Sequence, residues 1–204
     1  MDPINKVNLE RLTNGIYAFT MTLMVRNIQA PVAGSITDDL SFAQYLISTI
    51  LSVADFVGAF LILGMFWLFY FQMFHRMKTF DYRFLYLHLF SLMIVVFVPF
   101  TNSFANQSVT VPASNILFQV NYLVLAIILT WQWHHARAHP ELLEPELNET
   151  EASFLAKKFL VPLGVAIFGI ILVCAGVEYI DILYLLPFVV LGVFFRHPPR
   201  DTSG

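Results

Sequence analysis

Residues 11–25 read Arg11-Leu-Thr-Asn-Gly-Ile-Tyr-Ala-Phe-Thr-Met-Thr-Leu-Met-Val25, and Arg26 follows directly. The run is apolar enough to enter a bilayer, yet it carries three threonines, an asparagine and a glycine. A helix that only anchored a chain in lipid would do better with plain Leu, Ile and Val. Small and hydroxylated residues instead let helices approach closely and bond across their interface. On a helix Gly15, Phe19, Thr22 and Arg26 share one face, and Thr13, Tyr17, Thr20 and Met24 share a neighbouring one. The sequence therefore predicts a helix held in the middle of protein rather than at its lipid rim.

The rest of the chain sets the frame for that helix. Of 204 residues, 58% are hydrophobic and only 12% charged, about half the share of a soluble domain. Backbone groups in lipid must be bonded internally, so helices or a closed barrel are the options. The apolar runs are uninterrupted and long enough to span as helices of about 20 residues. A barrel would alternate. The reading is an all-α membrane protein with one domain, 1–204, and six transmembrane helices. Their expected spans are 9–29, 41–74, 83–104, 113–135, 155–175 and 179–195. Pro31 and Gly34 close the first, a short turn at Gly176 to Tyr179 makes a hairpin of the last two, and 140–152 reads as an acidic linker. A net charge of −3 gives no reason to expect nucleic acid. No cleavable signal peptide is expected.

Basic residues alternate from link to link. Lys6 precedes span one; Arg76, Lys78 and Arg83 follow span two; Arg137, Lys157 and Lys158 follow span four; Arg196 and Arg200 follow span six. The other links carry Asp38, Asp39, Glu178 and Asp181. By the positive-inside rule both termini are expected in the cytoplasm of a cell, as in a multi-pass protein of the cell membrane.

Ionisable groups at membrane depth are costly and therefore candidates for function. Asp55 lies about a dozen residues into span two and needs a partner. Arg26 is the expected one, with the lipid headgroups as its alternative. His88 in span three reads as a hydrogen-bonded core residue. His135 and His139, four apart, have helical metal spacing, but no carboxylate or cysteine completes a site. They are expected, with His134, Trp131 and Trp133, in an interfacial belt, and no metal or cofactor is expected. No catalytic spacing is visible, so the chain does not read as an enzyme.

The opening segment resembles the first helix of the transmembrane protein 175 potassium channel family in its one-repeat prokaryotic form. That family opens with Arg-x-x-x-Phe-Ser-Asp-Gly. Here Leu12-Thr13-Asn14-Gly15 takes the place of Phe-Ser-Asp-Gly, followed by Tyr17-Ala18-Phe19 and Thr22-Leu23-Met24-Val25. Phe66-Trp67, Phe74 and Val98-Pro99-Phe100 resemble later family stretches. The resemblance implies a homotetramer in the bilayer with the first helix of each subunit around a central pore, passing small monovalent cations, potassium above all. It implies a constriction at Phe19 and Leu23 and a potassium preference at Thr22. Asn14, Trp67, Tyr70 and His88 would form a neutral network holding the first helix, with Asn14 in place of the family's aspartate. Arg26 stands where the family has an apolar residue, so it belongs either with Asp55 or at the pore mouth.

Two functions follow. One is a passive potassium-preferring channel. The alternative is a non-conducting or carrier-like membrane protein that keeps the channel fold. A carrier would show inverted repeats or broken helices near mid-membrane, and Pro99 and Pro187 are the positions able to kink.

Overall fold

The computed structural model describes residues 6–107, 112–145, 147–175 and 186–194. Their helices are α1 (Lys6–Leu23), α2 (Asp39–His75), α3 (Tyr82–Gln107), α4 (Pro112–Ala138), α5 (Glu149–Cys174) and α6 (Leu186–Phe194). The expected turn at Gly176 to Tyr179, and the first part of the last span, lie outside the described residues. Among the described residues four helices, α2 to α5, are long and apolar enough to cross a membrane. α1 is not among the four, because its first turns carry Lys6, Asn8, Glu10, Arg11 and Asn14. Its 18 residues still reach about 27 Å at 1.5 Å per residue.

Helix ends follow local chemistry. α1 stops at Leu23 and tightens into a 3-10 turn, Met24–Asn27, so the α-helix ends six residues short of the expected residue 29. Gly34 then adopts φ +80° in a turn closed by the Ser35 N–H on the Val32 carbonyl, 3.0 Å. That left-handed conformation suits glycine, which has no Cβ to clash. α2 begins with a capping box. The Ser41 N–H donates to Asp38 Oδ1 at 2.7 Å, and the Asp38 N–H donates to Ser41 Oγ at 3.2 Å. α5 starts at Glu149, ahead of the span expected from 155, and Asn148 is its cap as its residue type and position suggest: Asn148 Oδ1 accepts the Glu151 N–H at 2.7 Å. The acidic linker is correspondingly shorter and is docked rather than free. Leu143 bridges Met77, and the Lys78 N–H reaches the Leu142 carbonyl at 2.8 Å.

α1 packs on α2 and α3, α3 on α4, α4 on α5, and α5 on α6. The core is aromatic. Phe66 meets Tyr122 edge-on, Phe69 meets Phe159, and Trp133 meets Phe159, at centroid distances of 5.2–5.4 Å. Such pairs add to area burial through the ring quadrupole. α2 contributes through its second half only. From Ala59 to Phe74 it is largely buried, whereas no side chain among residues 39–58 is buried. Trp133 is a core residue, with its indole N–H on the Ala152 carbonyl at 3.1 Å. It is therefore not part of an interfacial belt, and neither is buried His135. Trp131 and His134, on the opposite side of α4, are exposed.

Candidate functional site

α1 turns two faces to different surroundings. Leu9, Thr13, Tyr17, Thr20 and Met24, at steps of four, four, three and four, are buried against the rest of the subunit. Gly15, Phe19, Thr22 and Arg26 lie on an uncovered face. Phe19 is 62% exposed. A Cβ built on Gly15 would meet nothing within 4 Å. Leu23 is half-buried between the two faces. Thr22 Oγ1 donates its proton to the Phe19 carbonyl at 2.7 Å. The lone pairs of that hydroxyl therefore remain as acceptors on the uncovered face.

α1 is pinned to its own subunit by two polar contacts, one from exposed Asn14 and one from buried Thr13. Trp67 donates its indole N–H to Asn14 Oδ1 at 2.8 Å. Thr13 Oγ1 donates to the Leu9 carbonyl at 2.8 Å and lies 2.7 Å from His88 Nε2. A hydroxyl has one proton, so Thr13 accepts from His88 and the proton is assigned to Nε2. Tyr70 packs edge-on against the His88 ring, centroids 4.7 Å apart, but sends its hydroxyl elsewhere. It donates to Gln132 Oε1 at 2.8 Å and lies 2.7 Å from Ser91 Oγ, which donates to it. So Asn14 with Trp67 forms one contact, and His88 and Tyr70 belong to a neighbouring layer with Thr13, Ser91 and Gln132. Those last two escaped the sequence reading. A glutamine between two tryptophans of an apolar helix was their available signal, since a buried amide needs a partner.

Asp55 and Arg26 occupy the other end of α1. Asp55 lines a pocket of about 400 Å³ with Asn27, Tyr45, Ser48, Ser52 and Ser103. Arg26 lies within the 3-10 turn and is exposed. Ion pairs elsewhere in the subunit join Lys6 to Glu144, Arg76 to Glu151, His135 to Asp81 and Arg137 to Glu149.

At the basic end, His135 Nε2 lies 2.8 Å from Asp81 Oδ2. His139 packs against His135 with its ring tilted by 41°, centroids 4.4 Å apart, and its Nδ1 lies 3.0 Å from the His135 carbonyl. Burial pushes the Asp81 carboxyl up. The Phe84 N–H, the His135 contact and the nearby imidazoles outweigh this and hold it below the usual carboxylate value. The described residues contain no cluster of three His, Cys, Asp or Glu able to hold a metal.

The sequence model of the endosomal/lysosomal potassium channel TMEM175 matches residues 8–99, which take in nearly all of α1, the whole of α2 and most of α3. A protein named a potassium channel in Chamaesiphon minutus is 25% identical over 154 residues, 74% of this chain and 75% of that one. One so named in Streptomyces collinus is 28% identical over 151 residues, 71% and 70% respectively. The crystal structure of a lysosomal potassium-selective channel TMEM175 homolog from Chamaesiphon minutus superposes with a TM-score of 0.71. It is 20% identical, over 90% of this chain and 95% of that one. The uncovered face of α1, its pinned opposite side and these likenesses agree: residues 8–99 match the TMEM175 potassium channel family, and the chain as a whole is similar to its one-repeat prokaryotic form.

Proposed function

We propose that the chain is the subunit of a homotetrameric, potassium-preferring cation channel in which the uncovered face of α1 lines the pore. The carrying observation is the division of α1: one face is bonded to its own subunit, and the other presents Phe19 and Thr22 to nothing within it. The names of the two relatives support the potassium reading. In this arrangement Phe19, with Leu23 beside it, forms an apolar ring that closes by dewetting, and Thr22 offers hydroxyl oxygens that replace water around an ion. Arg26 sits at the mouth beyond them. Its charge lowers the local cation concentration. The basic end of the subunit faces the cytoplasm.

Liposome flux tests this reading. Phe19→Ala should raise potassium flux while leaving yield and assembly close to the wild type. Thr22→Ala should reduce the preference for potassium over sodium. If Phe19 instead packs between helices, the same change would cost about 3–5 kcal/mol and lower yield without added flux. That result would reject the pore assignment. Absence of flux in every variant would favour the non-conducting alternative.

A further inference from the structure

A groove of about 370 Å³ opens between α3 and α4 at the basic end, lined by Arg83, Tyr86, Leu87, Phe90, Trp131 and His135. It belongs to neither the α1 face nor its supporting contacts. Its composition changes along its length. Arg83, in the first turn of α3, is exposed. Tyr86 and Trp131, 67% and 55% exposed, stand behind it. Phe90 then leads into an uncovered apolar stripe on the same helix, through Met93, Phe97 and Phe100 to Phe104. From Phe90 to Phe104 the stripe rises about 21 Å, the scale of one extended acyl chain. Asp81 is the carboxylate that would repel an anion here, but it is engaged by His135 Nε2 and the Phe84 N–H.

We propose that this groove binds one anionic phospholipid, with its phosphate on Arg83, its glycerol region between Tyr86 and Trp131, and an acyl chain along the α3 stripe. Three features select this occupant. The planar guanidinium matches a phosphate in a way that a zwitterionic headgroup, carrying its own cation, uses less well. Amphipathic aromatics belong at headgroup level. The apolar part of the groove continues along a helix apolar enough to cross the bilayer, where a water-soluble partner has no access. The proposal requires only that the chain lies in a membrane, so it stands or falls separately from conduction.

Native mass spectrometry of the purified protein, given equal phosphatidylglycerol and phosphatidylcholine, tests it. The wild type should retain phosphatidylglycerol preferentially. Arg83→Gln should lower that retention several-fold and leave phosphatidylcholine unchanged, Arg83→Lys should fall between, and Trp131→Ala should reduce retention of both lipids. Arg83 is exposed, so folding should survive, which an unchanged melting temperature would verify. Equal retention of the two lipids, or unaltered preference in Arg83→Gln, would overturn the proposal. So would a Trp131→Ala variant that changes oligomer mass but not lipid retention, because the groove would then be a contact between subunits. Displacement of the lipid by glycerol phosphate, which has the head without the chains, would likewise count against it.

Discussion

At the scale of single residues, the tightest constraint on α1 is the Thr13–His88 contact. Thr13→Val keeps the shape but leaves the buried Nε2–H of His88 without an acceptor. An orphaned buried donor costs about 1–3 kcal/mol, whereas replacing both partners with apolar groups can be nearly neutral. Thr13→Val should therefore lower the unfolding free energy in detergent by that amount, and Thr13→Val with His88→Leu should regain much of it. Additive losses in the double variant would show that the pair is not coupled. The sequence brought Asn14, Trp67, Tyr70 and His88 to attention through a resemblance. It could not divide them into two layers, because that division depends on which way each hydroxyl and ring turns once α1, α2, α3 and α4 meet.

Elements were legible to differing degrees. Long apolar runs disclosed α2 to α5, since hydropathy acts over many residues and survives local detail. Their ends depended on short-range chemistry: the Asn148 cap of α5 is a signal that sequence carries, whereas the 3-10 turn that shortened α1 is not. His135 and Trp133 were misassigned because their side of α4 is set by α3 and α5, not by proximity to the helix end. The start of α3 makes a pH-dependent prediction. Asp81 caps it through the Phe84 N–H at 2.8 Å and also holds His135. Its carboxyl is lowered in the folded protein. The associated stability is present above the unfolded carboxylate's pKa and is lost as the pH falls through the lowered folded value. Asp81→Ala should cost about 1 kcal/mol at neutral pH through the lost cap, and its melting temperature should fall less on acidification than that of the wild type. Parallel pH profiles would show that Asp81 does not carry this dependence.

For the molecule as a whole, assembly gives the clearest expectation. Phe19, the first half of α2 and the α3 stripe are apolar surfaces that the subunit leaves open. Lipid can cover the latter two. The α1 face, with its glycine, threonine and arginine, is poorly suited to lipid, because polar groups in hydrocarbon need partners. Four copies around that face should therefore appear in crosslinking or in mass measurement of the detergent-solubilised protein. Monomer alone at every detergent concentration would exclude the arrangement. Composition announced a membrane protein and resemblance suggested the number four. The open face itself could be drawn only after the buried stripe from Leu9 to Met24 was known to be occupied by the subunit's own helices.

The clasp at the basic end has a consequence for how the chain is made. Lys6 Nζ donates to the Met77 carbonyl at 2.6 Å and lies 3.9 Å from Glu144, while the Glu144 N–H bonds the Arg76 carbonyl at 3.0 Å. The foot of α1 is thus fastened to a turn and a linker that leave the ribosome much later. Translation from residue 77 to residue 144 takes roughly 3–13 s at about 5–20 residues per second. Throughout that interval α1 is already synthesised but lacks its last fastening. A nascent subunit therefore gains the last fastening of its first helix only after its fourth has been made, although the Trp67 and His88 contacts are within reach earlier. Chains that meet after completion would meet with the foot of α1 already fastened to its own subunit.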